Sequence, residues 1–149
     1  MDLKDTLQHV LDRKGSRLLS VGPHDTVYSA LEVMARHNIG AVVVVDGEKP
    51  VGMLSERDYA RKVALTGHTS RQTLVHEVMS RPLVTVPKEH TVEFAMALMT
   101  ERHIRHLPVM DEEKMVGMVS IGDLVNWVIS AQAQLIESLH EYIAGRYPG

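Results

Sequence analysis

Two serine–aspartate pairs have a spacing that could support binding chemistry. Ser55 and Asp58 stand three residues apart, and Ser120 and Asp123 repeat the same frame. This spacing is typical of a capping box, in which the two side chains satisfy backbone N–H groups at a helix start. The same groups could bind a ligand, because a helix start attracts anions and a carboxylate can accept two hydrogen bonds from a vicinal diol such as ribose. The two pairs alone favour neither interpretation.

Both pairs belong to an internal duplication. At a fixed offset of 65 residues, 17 of the 48 positions in residues 18–65 are identical to those in residues 83–130. This identity indicates two copies of one structural unit. A single copy of this size would bury too little apolar surface to be stable alone, so we expect the two copies to share a core.

The hydrophobic pattern predicts the order strand, helix, strand, strand, helix in each copy. Predicted strands cover 18–21, 41–45 and 51–54, then 83–86, 107–110 and 115–119, with helices starting near residues 27, 56, 91 and 121. A lead helix is expected over residues 3–13, with a turn of helix around residues 75–79. The resulting organisation is an N-terminal helix at 1–15, a first repeat at 16–66, a linker at 67–80, a second repeat at 81–130 and a helical extension at 131–149.

Composition narrows the class of protein. The chain has no cysteine, which excludes disulfides, iron–sulfur clusters and thiol catalysis. A formal net charge of -3 gives no general attraction to nucleic acid or anionic lipid. The sequence has no basic-then-apolar leader and no apolar run near 18 residues, so we expect a cytoplasmic protein that does not span a membrane.

The repeats resemble the CBS domain, which is named after cystathionine β-synthase, and the tandem pair resembles a Bateman module. The resemblance covers about residues 16–130 and rests on residues 39–46 with 51–58, and on residues 104–111 with 116–123. It implies an α/β (α+β) fold of two repeats packed by pseudo-two-fold symmetry. The implied function is that of a non-catalytic regulatory module, whose regulated protein is unknown and on another chain.

The resemblance also implies roles for the two serine–aspartate pairs and their surroundings. Each aspartate would hold the ribose hydroxyls of a nucleotide, and each serine would lie beside the phosphate. Carried over by position, one pocket would contain Asp123, Ser120, Met118, Leu18, Leu19, Ile39, Gly40, Ala41 and Arg57. The other pocket would contain Asp58, Ser55, Met53, Leu83, Val84, Ile104, Arg105 and His106.

The two predicted pockets differ in charge and in size. Gly40 and Ala41 are small and would let a base or phosphate approach the backbone, whereas the matching positions of the second repeat are Arg105 and His106. An arginine fork suits phosphate oxygens. A solvated surface charge is the alternative for Arg57 and Arg105.

Adenine nucleotides are the expected ligands, with AMP favoured over ADP and ATP, and with NAD or S-adenosylmethionine as alternatives. Two other functions remain open, a small nucleotide hydrolase or transferase and a structural protein with empty clefts. No metal site is expected, because the pair His103 and His106 would point to opposite faces of a strand.

The last predicted helix carries an apolar stripe that one repeat does not need. The stripe contains Leu135, Ile136, Leu139, Tyr142 and Ile143 within a segment reaching Tyr147. An exposed stripe of this size favours a homodimer that buries both copies. The alternative is that the lead helix covers the stripe within one chain.

Overall fold

The computed structural model describes residues 2–15 and 18–143, which fall into two compact units. The repeat-1 unit comprises Arg17–Thr85 and Glu112–Met115, and the repeat-2 unit comprises Met1–Ser16, Val86–Asp111 and Val116–Gly149. Two three-stranded sheets and their helices form the described part of the chain. The mixed α+β architecture predicted from the sequence is confirmed.

The sheet of the repeat-1 unit has the order β1-β2-β3, with β1 at Ser20–Val21, β2 at Ala41–Asp46 and β3 at Lys49–Ser55. Strand β1 runs parallel to β2, and β2 forms an antiparallel hairpin with β3. The first four residues of β2 are at most 1% exposed. Their uninterrupted apolar run is typical of a strand covered on both faces.

The helices of the repeat-1 unit are α2 at Val27–His37, α3 at Glu56–Lys62 and α4 at Val75–Val78, with a 3-10 turn at Ala64–Thr66. Thr26 caps α2, because its hydroxyl accepts a hydrogen bond of 3.1 Å from the N–H of Ser29. The apolar face predicted for α2 is buried in the core of the unit through Val27, Ala30 and Met34.

The repeat-2 unit repeats this order around the sheet β4-β5-β6. Its elements are α1 at Leu7–Lys14, β4 at Val86–Pro87, α5 at Val92–Arg102, β5 at His106–Asp111, β6 at Lys114–Ser120 and α6 at Ile121–Ile143. Thr91 caps α5 as Thr26 caps α2, accepting a hydrogen bond of 3.1 Å from the N–H of Phe94. Helix α6 has 23 residues and is therefore about 34 Å long.

Helix α1 precedes the first repeat in sequence but packs within the repeat-2 unit. The N–H of Leu7 donates to the carbonyl of His90 at 2.9 Å, and the N–H of Gln8 donates to the carbonyl of Lys88 at 3.1 Å. The side chains of Leu7, Val10 and Leu11 are at most 2% exposed. The lead helix is therefore part of the core of this unit.

Helix α4 makes the equivalent contacts within the repeat-1 unit. The N–H of Val75 donates to the carbonyl of Asp25 at 2.8 Å, and the N–H of His76 donates to the carbonyl of Pro23 at 3.0 Å. These two acceptors lie 65 positions before the two acceptors used by α1, which is the offset of the duplication. Each unit is thus completed by the helix that precedes the other repeat in sequence.

The strand that receives each of these segments has a glycine at the contact. A Cβ atom at Gly117 would lie 2.7 Å from Leu11 Cδ2, and a Cβ atom at Gly52 would lie 2.7 Å from Met79 Sδ. These separations are too short for real carbon atoms, so only glycine fits without a shift of its neighbour. The two glycines also stand 65 residues apart.

Strands β1 and β4 are shorter than the sequence predicts. Only Ser20 and Val21 pair with β2, and Leu18, Leu19, Leu83 and Val84 lie outside the strands. Strand β1 ends at Val21 as predicted, because glycine and proline follow it at positions 22 and 23. The residues missing from β1 are at its start. Helix α1 begins at Leu7 rather than Leu3, because Thr6 provides its cap.

The apolar stripe of α6 is exposed along its length. Its side chains have exposed fractions between 52% and 81%, in Leu135, Ile136, Leu139, Tyr142 and Ile143. Helix α1 and the residues before it contact α6 nearer its start, through Lys14 on Asp123 and through Trp127 Nε1, which donates to the carbonyl of Asp2 at 3.2 Å. The lead helix therefore leaves the stripe open, and the predicted extension through Gly145 to Tyr147 lies outside the described residues.

Candidate functional site

The junction of β3 and α3 holds the first serine–aspartate pair. The hydroxyl of Ser55 accepts a hydrogen bond of 3.1 Å from the N–H of Asp58, and Asp58 Oδ2 accepts one of 3.0 Å from the N–H of Ser55. This is the reciprocal geometry of a capping box. The carboxylate is fixed at the helix start, and its other oxygen faces away from the cap.

That other oxygen, Asp58 Oδ1, has two partners that the sequence analysis did not include. Lys62 Nζ lies 3.2 Å from it, and the hydroxyl of Ser80 donates to it at 3.1 Å. Ser80 is held in place by two backbone hydrogen bonds with Met53, of 2.8 and 3.2 Å. Lys62 stands four residues after Asp58, a spacing known to favour ion pairs on helices, so this partner could have been predicted.

The junction of β6 and α6 repeats the capping geometry at Ser120 and Asp123. The N–H of Ser120 donates to Asp123 Oδ2 at 2.8 Å, and the N–H of Asp123 donates to the hydroxyl of Ser120 at 3.1 Å. The side chain of Asp123 is 24% exposed, whereas that of Asp58 is 14% exposed. The second carboxylate is thus the more open of the two to a ligand.

Lys14, at the end of α1, contacts this second carboxylate directly. Its Nζ lies 2.6 Å from Asp123 Oδ2 and donates a further hydrogen bond of 2.8 Å to the carbonyl of Met118. Lys14 is 109 residues away in sequence, and no local pattern indicates the pairing. Sequence reasoning therefore missed this residue.

His106 stands at the start of β5, in the electrostatic environment of the same carboxylate. Burial lowers the pKa of His106 below its ordinary value of 6.5, and the positive charges of Lys14 and Arg105 lower it further, against the opposing effect of Asp123. The carbonyl of Arg105 accepts a hydrogen bond of 2.9 Å from the N–H of Ile121, which joins this segment to the start of α6. Arg105 and His106 therefore lie beside Ser120 and Asp123 within the repeat-2 unit.

Gly40 and Ala41 take the equivalent position in the repeat-1 unit. The carbonyl of Gly40 accepts a hydrogen bond of 3.0 Å from the N–H of Glu56, and Ala41 is the register partner of Ser55. Arg57 is exposed on α3. The combination of Gly40, Ala41 and Arg57 with Asp123 joins residues of both units and remains a prediction, as does the combination of Arg105 and His106 with Asp58.

The remaining predicted pocket residues are apolar. Leu18 is 44% exposed, and six others are partly buried, namely Leu19, Ile39, Met53, Leu83, Val84 and Ile104. Met118 is also partly buried, and its carbonyl binds Lys14. Their place in a pocket with Asp58 or Asp123 remains a prediction.

A groove of about 250 Å³ lies beside Asp123, between α1 and α6. Its lining consists of Val10, Arg13, Lys14, Asp123, Asn126, Trp127 and Ser130. The guanidinium carbon of Arg13 lies 5.8 Å from the centroid of the Trp127 ring, within the range of a cation–π contact.

The described residues contain neither a cluster of metal ligands nor a helix suited to crossing a membrane. Among residues 2–15 and 18–143, no three histidine, aspartate or glutamate side chains are grouped so that they could hold a metal ion. His103 ends α5 in the left-handed conformation, with φ at 56°. In the same part of the chain, no helix combines the length and apolar character that a membrane crossing requires.

A duplicated unit of this strand and helix order, with a serine and an aspartate at the start of each closing helix, defines a tandem α+β repeat protein. The sequence profile of the CBS domain matches residues 6–65 and 75–130. The chain belongs to the CBS domain family, as its motifs predict. CBS domain pairs are typically regulatory and non-catalytic, they commonly bind adenine nucleotides, and CBS domain proteins can form oligomers.

Known proteins resemble most of the chain. The mitochondrial CBS domain-containing protein CBSX3 of Arabidopsis thaliana is 44% identical over 128 residues, which are 83% of this chain and 62% of that protein. The CBS domain-containing protein YhcV of Bacillus subtilis is 37% identical over 79% of this chain and 84% of that protein. A solved structure of a protein with CBS domains from Burkholderia ambifaria MC40-6 matches with a TM-score of 0.83 and 43% identity, over 86% of this chain and 96% of that one. The chain thus spans less than two thirds of the plant relative's length.

Proposed function

We propose that this CBS pair is a non-catalytic sensor that binds adenine nucleotides, with AMP favoured over ADP and ATP. One observation carries the proposal: a partly exposed carboxylate stands at the start of the closing helix in both repeats, held by the same serine geometry. A carboxylate fixed in this way already has a defined position from which it can accept hydrogen bonds from both hydroxyls of a ribose.

The surroundings of the two carboxylates support a phosphorylated ligand with a flat ring. Arg57 is exposed two residues after Ser55, and Arg105 is exposed with its carbonyl bonded to the N–H of Ile121 at 2.9 Å. Both can offer guanidinium groups to phosphate. The partly open apolar residues provide surface for adenine. NAD and S-adenosylmethionine present the same adenosine group and are the alternative ligands.

Isothermal titration with AMP, ADP, ATP, NAD and S-adenosylmethionine tests this function. Asp123→Asn and Asp58→Asn should each weaken AMP binding at their own site, because hydrogen bonds to a charged group contribute about 1.5–3 kcal/mol. This corresponds to roughly 10- to 150-fold in Kd. Glu56→Gln is the matched control, since it removes an exposed carboxylate two residues from Asp58 and should leave AMP binding unchanged.

The same titrations separate the sensor from its two alternatives. A structural protein with empty clefts would bind none of the five ligands and would show no thermal shift with them. A hydrolase or transferase would consume ATP, ADP or NAD in the presence of magnesium, which chromatography of the nucleotides would detect. AMP binding that neither aspartate variant affects would contradict the proposed site.

Self-association through the exposed stripe of α6 is part of the proposed function. A two-fold pairing would bury Leu135, Leu139 and Tyr142 from both copies. Among relatives, a CBS-CP12 protein from bloom-forming cyanobacteria is hexameric. Sedimentation velocity should give a dimer for the parent and a monomer for a chain truncated after Ser130, whereas a monomeric parent would refute the pairing.

The cellular setting follows from the same proposal. A non-catalytic sensor acts through a protein that it regulates. The lack of cysteine is compatible with the cytoplasm, while the plant relative is named as mitochondrial. Fractionation of cells that express the tagged protein, with copurified proteins identified by mass spectrometry, tests both points.

A further inference from the structure

The carboxylate of Asp123 already has a cation bound to it from within the chain. Lys14 Nζ lies 2.6 Å from Asp123 Oδ2 and 2.8 Å from the carbonyl of Met118. The two side chains are 40% and 24% exposed. An incoming diol must therefore compete with the ammonium group of Lys14 for hydrogen bonds to Asp123.

Lys14 cannot leave by movement of its helix. Helix α1 is fixed by the buried side chains of Leu7, Val10 and Leu11 and by the backbone bond from Leu7 to His90. Only the flexible four-carbon stem of Lys14 is free to turn. After displacement, the ammonium therefore stays close to the ligand that displaced it.

The first repeat has no equivalent of this arrangement. The cation at Asp58 is Lys62, which comes from the same helix and lies farther away, at 3.2 Å. At the 65-residue offset, the position of Lys62 is taken in the second repeat by Trp127. A lysine brought from a separate helix is thus a specific feature of the Asp123 junction.

We propose that Lys14 makes the Asp123 site select phosphorylated nucleosides over unphosphorylated ones, an inference that rests on the proposed function. A neutral nucleoside that occupies Asp123 leaves the ammonium of Lys14 without its anion. A nucleotide brings a phosphate that replaces the lost partner, because the displaced ammonium remains nearby. The ion pair therefore penalises adenosine more than it penalises AMP.

The selectivity is measured as the ratio of the Kd for adenosine to the Kd for AMP. An Asp58→Asn background restricts the titration to the Asp123 site. In that background Lys14→Met, which retains an apolar stem without the charge, should strengthen adenosine binding several-fold and weaken AMP binding. The ratio should fall at least tenfold.

Two further variants make the test specific. Lys14→Arg keeps the positive charge and should keep a ratio close to that of the parent. Lys88→Met removes a lysine from the same unit, where it pairs with Asp111 at 3.1 Å, and should leave the ratio unchanged. Circular dichroism confirms that each variant is folded, as the buried anchor of α1 leads us to expect.

The possible results separate this inference from the proposed function. If AMP does not bind the Asp58→Asn parent, the proposed nucleotide site at Asp123 is wrong, and the inference is wrong with it. If AMP binds but Lys14→Met leaves the ratio unchanged, the inference alone is overturned. A ratio that falls equally in Lys14→Arg also overturns it, because charge would then not be the cause.

Discussion

Gly52 stands where the segment after α4 crosses β3, and replacing it with alanine should destabilise the protein. The new Cβ would lie 2.7 Å from Met79 Sδ and 3.1 Å from the carbonyl oxygen of Ser80. The methionine side chain can turn away, but the carbonyl belongs to the backbone that pairs with Met53 through bonds of 2.8 and 3.2 Å. The contact with the Ser80 carbonyl is therefore expected to cause most of the loss of stability.

Gly117→Ala is the matched comparison in the second repeat. The three atoms nearest to its Cβ would all belong to the side chain of Leu11, with Cδ2 at 2.7 Å and Cδ1 at 2.9 Å. Overpacking of this kind costs about 1–3 kcal/mol. We expect Gly52→Ala to lower the free energy of unfolding by about 2–3 kcal/mol and Gly117→Ala by about 1–2 kcal/mol.

Urea denaturation followed by circular dichroism measures both changes. The double variant Gly52→Ala/Met79→Ala should lose less stability than the sum of its single variants, because the sulfur contact is absent in it. A Gly52→Ala protein as stable as the parent would refute the reasoning. So would a larger loss in Gly117→Ala than in Gly52→Ala, since the fixed carbonyl would then not be decisive.

Three further predictions test other parts of the structure. Because the folded protein holds the pKa of His106 below 6.5, the unfolded chain binds more protons near pH 6. The free energy of unfolding should therefore fall as the pH drops below about 6.5. Urea titrations of His106→Gln should show a weaker dependence of this free energy on pH. Trp127→Phe removes the indole donor to Asp5 Oδ2 at 3.1 Å and should cost about 1–2 kcal/mol by chemical denaturation; no loss would contradict this contact. Thr26→Ala and Thr91→Ala should each lower the free energy of unfolding by about 1 kcal/mol, and a large difference between them would contradict the equivalence of the two caps.

The features that sequence reasoning predicted well are governed by neighbours in the chain. Helices α2 and α5 begin at Val27 and Val92, within one residue of their predicted starts. Ser55 and Ser120 form the reciprocal bonds that their spacing predicts. The apolar run of β2 is buried. In each case residues within a few positions of one another determine the feature, so residue types and their spacing are enough to predict it.

The features that sequence reasoning missed depend on distant segments. Lys14 reaches Asp123 across 109 residues, and Ser80 reaches Asp58 across 22. A lysine in the last turn of a helix is common, because it suits the negative end of the helix dipole. Nothing in its surroundings marks Lys14 as the partner of a particular carboxylate, and only the docking of α1 in the repeat-2 unit makes the pairing possible.

The docking of α1 also sets an order of events during synthesis. The lead helix emerges from the ribosome before both repeats, and its backbone acceptors at Lys88 and His90 emerge about 80 residues later. At roughly 5–20 residues per second, the segments that bury the apolar side chains of Leu7, Val10 and Leu11 are synthesised several seconds after them. The repeat-1 unit can meanwhile be completed as soon as α4 has emerged. A segment made before both repeats is thus among the last to pack, and its apolar side chains stay exposed until then.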